Sequence, residues 1–174
     1  MKMLKGIAII FLCLFISITL LSLLIPSNVR TVNSVVIHAD KNKIFNQIAD
    51  FSNWKNWHPV FQNDSNAFYS NPSFGVNANV KWVTSGKTNE LLITKSTAQE
   101  ITILQLRPGE KEVVHILSIV PNKGSPALQV EWNVLTKLKW YPWEKFRGIF
   151  IDKIAGPGYE ASLNNLKALL EEKN

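Results

Sequence analysis

Apolar residues crowd the start of the chain and then become periodic. Residues 6–25 contain no charge. Twenty helical residues at 1.5 Å each span about 30 Å, the thickness of a bilayer's hydrocarbon core. Ser17, Thr19 and Ser22 interrupt a run of Ile, Leu and Phe, and hydroxyls of this kind bond back to the helix backbone. Pro26 ends the segment. Residues 27–33 read as a short polar link. Val35, Val36 and Ile37, within 34–38, predict a strand. Asp40 then reads as the N-cap of a helix over 41–50, in which Ile44, Phe45, Ile48 and Ala49 recur at helical spacing. Pro59 disfavours helical geometry at His58, so 53–59 holds a short helical turn at most.

From there the period is two. Val76, Ala78, Val80 and Trp82 alternate with Asn77, Asn79 and Lys81. Leu128, Val130, Trp132 and Val134 alternate with Gln129, Glu131 and Asn133. Runs at 90–97, 100–106 and 112–120 lie between them. The turns Ser85-Gly86, Pro108-Gly109 and Pro121-Asn122-Lys123-Gly124 are short, which predicts hairpins and an antiparallel meander with one apolar face. The C-terminus returns to helix. Tyr159, Leu163, Leu166 and Leu170 form one stripe. Phe146, Ile149, Phe150 and Ile154 form another upstream. A proline inside a helix costs about 3 kcal/mol, so a kink or break is expected at Gly156-Pro157. The predicted order is strand, helix, several strands, long helix, an α+β domain over 27–174 behind an apolar segment at 1–26.

Charge adds little. The chain of 174 residues carries a net charge of +6. Lys2 and Lys5 flank the apolar segment, so the remainder is only mildly basic and has no Lys/Arg-rich run of the kind that grips nucleic acid. The one cysteine, Cys13, lies inside the apolar segment, so no disulfide forms within the chain. A cleaved signal peptide would have a shorter apolar core and a small-x-small site. Here the run is longer and ends on Leu23, Leu24, Ile25 and Pro26, which favours an uncleaved single-pass anchor. The positive-inside rule holds Lys2 and Lys5 in the cytoplasm and sends the domain across a bacterial inner membrane. Arg30, Lys41 and Lys43 oppose that bias.

Two stretches carry a family resemblance. One runs from Val36 to Pro59, where a strand and an acid-capped helix lead to Trp54-x-x-Trp57-x-Pro59. The other is Gly148-Ile149-Phe150-Ile151-Asp152-Lys153-x-x-Gly156-Pro157-x-Tyr159-Glu160, then Leu163-x-x-Leu166-Lys167. Gly124 and Leu128-Gln129-Val130-Glu131-Trp132 keep a third pattern loosely. With these, 30–173 resembles the START-like, birch-pollen-allergen-like superfamily, in its bacterial SRPBCC or polyketide cyclase/dehydrase-like group. The resemblance implies a helix-grip fold, a curved antiparallel sheet wrapped on a long C-terminal helix, with an apolar cavity between them in many members. No residue matches an established catalytic position of the cyclases.

Candidate chemistry is sparse. His38, His58 and His115 are scattered without metal-ligand spacing. His115 is in phase with Val113, Leu117 and Ile119, as a satisfied core histidine or as a group that orients a polar ligand head. By the resemblance, Trp54, Trp57 and His58 close one end of the cavity, as a lid or as a plug. Trp82 and Trp132 lie on apolar strand faces and are expected to point at the C-terminal helix. Asp152-Lys153 reads as an outer-face pair. Trp140-Tyr141-Pro142-Trp143, among Lys137, Lys139, Lys145 and Arg147, suits either a membrane interface or a buried helix start. The function these features favour is a membrane-anchored binding domain for a hydrophobic small molecule or lipid, held by 6–25, with no cofactor or metal. Trp54, Trp57, His58, Trp82, His115 and Trp132 are its candidate ligand-binding residues. A cyclase-like enzyme and a ligand-free protein-interaction module are the alternatives. A cavity of at least about 300 Å³ favours ligand binding, whereas a filled interior favours interaction.

Overall fold

In the computed structural model the described residues are 2–62, 66–122 and 124–172. Among them α1 (Lys2–Leu23) leads to strand β1 (Asn28–Ile37), helix α2 (Lys41–Ala49), a 3-10 turn (Phe51–Asn56) and the short α3 (Pro59–Gln62). Strands β2 (Phe68–Tyr69), β3 (Asn79–Thr84), β4 (Lys87–Ser96), β5 (Glu100–Leu106), β6 (Val113–Pro121) and β7 (Leu128–Lys137) follow, and α4 (Pro142–Glu171) ends the chain. The strands form one antiparallel sheet in the order β1-β7-β6-β5-β4-β3-β2. Consecutive strands from β2 to β7 pair as neighbours, as short connections require, and β1 closes on β7. At the β3–β4 turn, Ser85 and Gly86 both have positive φ, 52° and 74°, the backbone of a two-residue turn that matches strand twist.

The apolar strand face packs on α2, the 3-10 turn and the second half of α4. Its core contains Ile37, Ile44, Ile48, Phe51, Trp54, Val80, Ile93, Ile103, Leu117, Val130, Trp132, Leu163 and Leu166. Asp40 caps α2 as expected, accepting from the backbone N–H of Asn42 at 2.8 Å and of Lys43 at 3.4 Å. In α1, Ser17 donates to the Cys13 carbonyl at 2.9 Å and Thr19 to that of Phe15 at 2.8 Å, so these hydroxyls are satisfied within the helix.

Four expectations need correction. Residues 28–33 are not a link but the first half of β1. Its inward Thr31 and Asn33 are polar, which hides the alternation; outward Arg30 donates to Asn133 Oδ1 through Nε at 3.0 Å and Nη2 at 2.6 Å. The alternation of β3 does not extend back to Val76. Gly75 and Asn77 take left-handed φ of 83° and 72°, and Val76 is 55% exposed. Helix α4 does not break at Gly156-Pro157 and runs on through Pro157. The upstream stripe does not face the core: Phe146, Ile149, Phe150 and Ile154 are exposed. That half of α4 turns Lys145 and Gly148 inward instead. Gly148 sits so close to Leu138 that a side chain there would collide with it. Lys145 Nζ donates to the Ile25 carbonyl at 2.7 Å and to Ser27 Oγ at 2.6 Å, tying α4 to the end of the apolar segment.

Candidate functional site

Antiparallel register builds the site from the sheet outward. On one face of the sheet, β6 His115 stands opposite β5 Ile103 and β7 Val134. Its diagonal neighbours on that face are Gln105 and Trp132, within reach of long side chains. Trp132 Nε1 donates to His115 Nδ1 at 3.2 Å, and His115 Nε2 lies 3.0 Å from Gln105 Oε1. Gln105, His115 and Trp132 are all buried. Helix α4 covers them with Tyr159, whose ring lies 4.9 Å from that of Trp132 and 5.9 Å from that of His115.

The segment 51–62 supplies the opposite wall. Trp54 Nε1 donates to the Ile48 carbonyl at 3.0 Å and Trp57 Nε1 to that of Gln47 at 3.1 Å. These carbonyls belong to the last turn of α2, whose acceptors have no helical partner. The two indoles therefore cap α2 while their rings fill the core. Asn165 of α4 donates to the Trp57 carbonyl at 3.1 Å. Trp54 and Trp57 are 1% and 0% exposed and close this end of the core. His58 stacks on Trp54 at 5.2 Å, and its Nδ1 accepts from the Val60 N–H at 3.2 Å. Asp50 fixes the start of this segment: its Oδ1 accepts from Ser52 Oγ and Ser73 Oγ, each at 2.7 Å. Burial pushes the Asp50 carboxyl up, but the hydrogen bonds from Ser73 and Ser52 outweigh it and hold it below the usual value.

A cavity of about 110 Å³ remains between these walls. Trp54, His58, Trp82, His115 and Trp132 line it. Five of the six residues singled out from sequence thus meet at one place. Trp57 lies behind them, with its ring 6.1 Å from that of Trp132. Trp82 meets Phe61 of α3, 5.2 Å away, rather than α4 in its ring contacts. Gln105, Arg107, Leu91, Phe61 and Tyr159 also line the cavity, and sequence reasoning missed them as a site. Gln105 carried a usable signal: it stands in phase with Ile101 and Ile103 as a polar residue in a core position. Arg107 stands at the mouth, its Nη1 3.7 Å from Glu110.

The interior holds no charged histidine at neutral pH. Burial pushes His115 down to about 3, with the nearby His58 and Arg107 charges adding to the effect. Burial likewise pushes His58 down to about 4. Burial raises the Tyr159 hydroxyl above its ordinary value, against the pull of Arg107. Among the described residues no three of His, Cys, Asp and Glu gather as metal ligands. A larger hollow of about 680 Å³ lies elsewhere, lined by Asn28, Glu110, Lys111, Lys137 and their neighbours. It is open and holds none of the candidate residues.

No protein-family model matches the sequence, and no curated protein does either. Solved structures do match its shape. A START superfamily protein from Mycobacterium smegmatis aligns at a TM-score of 0.62 and 16% identity, over 84% of this chain and 99% of that one. A protein of unknown function from Staphylococcus aureus aligns at 0.64 and 10% identity, over 84% and 95%. A hypothetical protein from Helicobacter pylori aligns at 0.59 and 15% identity, over 81% and 87%. At these identities the likeness shows the fold.

Proposed function

We propose that this chain, whose domain has the START-like helix-grip fold, is a membrane-anchored binding protein for a small hydrophobic molecule or for one end of a lipid. The observation that carries the proposal is the convergence of Trp54, His58, Trp82, His115 and Trp132 on one cavity between the sheet and α4. The cavity's 110 Å³ is well under the 300 Å³ or so of an ordinary ligand pocket. A whole lipid does not fit it, so the ligand is small or enters by one end. Native mass spectrometry of the full chain purified from its membrane is the test. A retained small molecule is expected, lost in Leu91→Phe, which fills the cavity, and kept in Trp57→Phe, which lies behind it. A chain that carries nothing and binds no apolar dye would defeat the proposal in favour of an interaction module.

Membrane attachment rests on a different observation. Helix α1 is long and apolar enough to cross a bilayer, and its apolar side chains are exposed. The exposed face of α4 presents Trp143, Phe146, Ile149, Phe150 and Ile154, with Trp140 just before it. On the inward side of the same helix, Lys145 ties α4 to the end of the apolar segment. The positive-inside rule then leaves the domain outside the cytoplasm. Protease added to spheroplasts is expected to digest it; full protection would reverse the orientation.

A further inference from the structure

Hydrogen-bond polarity in the cavity wall does not close on itself. The groups in line are the Trp132 indole, the His115 imidazole, the Gln105 amide and the Arg107 guanidinium. An indole and a guanidinium only donate. A neutral imidazole and an amide each offer one donor and one acceptor side. Trp132 Nε1 donates to His115 Nδ1, so the imidazole proton sits on Nε2 and is given to Gln105 Oε1. The amide nitrogen of Gln105 then faces the N–H groups of Arg107, donor against donor.

Turning the amide over moves the conflict without removing it. Arg107 Nη2 and Nε then donate to the amide oxygen at 3.0 and 3.2 Å, and the amide nitrogen donates to His115 Nε2 at 3.0 Å. The imidazole proton is thereby forced onto Nδ1, against the indole N–H of Trp132. With a neutral imidazole, both amide orientations leave one donor facing another. Protonating His115 adds a donor and worsens the fault. The line of groups has one donor too many, and Gln105 and Arg107 both line the cavity.

We infer that the cavity takes a carboxylate, whose oxygen accepts from the Gln105 amide N–H and the Arg107 guanidinium while its apolar stem lies among Trp54, Trp82 and Trp132. A carboxylate oxygen is an acceptor without a donor, which is what the Gln105–Arg107 end lacks. Arg107 supplies the matching charge and a fork suited to carboxylate. The aromatic walls exclude a second charge. The volume of 110 Å³ equals three or four waters at about 30 Å³ each, the scale of a short-chain acid. A water oxygen meets the same polar need in an unliganded cavity, and a carboxylate displaces it with a charge pair in return. This inference rests on the binding function proposed above and names the chemistry of its ligand.

The test is an NMR titration of the full chain in neutral micelles, with the Trp132 indole N–H as the reporter. The probes are butyrate, octanoate, n-butylamine and toluene. Saturable shifts with butyrate or octanoate, at least tenfold tighter than with n-butylamine, are expected. Octanoate binding tighter than butyrate marks the end of a longer amphiphile, and the reverse marks a short acid. Arg107→Met is expected to weaken the acid at least tenfold and leave toluene unchanged. Arg107→Lys, which keeps the charge but loses the fork, is expected to fall between. If toluene shifts the reporter but the acids bind no better than the amine, the carboxylate inference fails and the binding function stands. If no probe shifts it, both fail.

Discussion

His115 is held neutral by where it sits. Its ring is buried, with Nδ1 3.2 Å from Trp132 Nε1 and Nε2 3.0 Å from the Gln105 amide. In the unfolded chain a histidine titrates near 6.5, whereas burial puts folded His115 at about 3 and folded His58 at about 4. Below pH 6.5 the unfolded state therefore binds protons that the folded state refuses. Stability falls as pH drops from 6.5 toward these lower values and is unaffected by these groups above 6.5. The slope approaches 1.4 kcal/mol per pH unit for a fully protected histidine. His58 keeps some solvent contact, so His115 supplies the larger share. Urea unfolding at pH 7, 6 and 5 is expected to show this decline, less steep in His58→Phe. A stability flat from pH 7 to 5 would mean that neither ring is shielded. Strand phase made His115 and Trp132 legible in the sequence, because each falls in line with apolar neighbours. Arg107 was not legible: it lies at a strand end, and only the folded sheet aims it at Gln105.

Elements were legible where one signal dominated. Asp40 and the spacing of Ile44 and Ile48 fix α2, and alternation fixes β3 through Val80 and Trp82 and most of β7. Strand β1 was half hidden because polar Thr31 and Asn33 occupy inward positions. Pro157 misled in the other direction. It lies exposed on α4, so the helix tolerates it with one unbonded carbonyl upstream. Two substitutions of opposite sign follow from these local bonds. Pro157→Ala restores the missing N–H and is expected to stabilise the domain by about 1 to 3 kcal/mol. Trp57→Phe strands the Gln47 carbonyl and shrinks a fully buried ring, and is expected to destabilise it by about 1 to 3 kcal/mol. Denaturant midpoints measure both. A stabilising Trp57→Phe would show that the indole does not cap α2.

At the scale of the whole molecule, the apolar surface is not spread evenly. Most of the exposed large apolar side chains lie on α1 and on the half of α4 that carries Trp143, Phe146, Ile149, Phe150 and Ile154, and the rest, such as Phe68 and Phe74, are scattered. Contiguous apolar surface of this kind marks an interaction site. The aromatic residues at its start suit the headgroup layer, where an amphipathic ring meets both water and acyl chain. Lys139 and Arg147 stand beside it, each able to add about 1 kcal/mol of attraction to anionic lipid. On the proposed anchoring, a bilayer that holds α1 also reaches the start of α4, which Lys145 ties to the Ile25 carbonyl. The six tryptophans separate this arrangement from a domain that stands clear of the membrane. Trp54, Trp57, Trp82 and Trp132 are buried, while Trp140 and Trp143 are 71% and 63% exposed. In vesicles with brominated acyl chains, the full chain is expected to lose only the emission of Trp140 and Trp143. The double variant Trp140→Phe, Trp143→Phe is expected to lose almost nothing. Quenching that persists in the double variant would mean that lipid reaches the interior tryptophans instead, and that α4 does not rest on the bilayer surface.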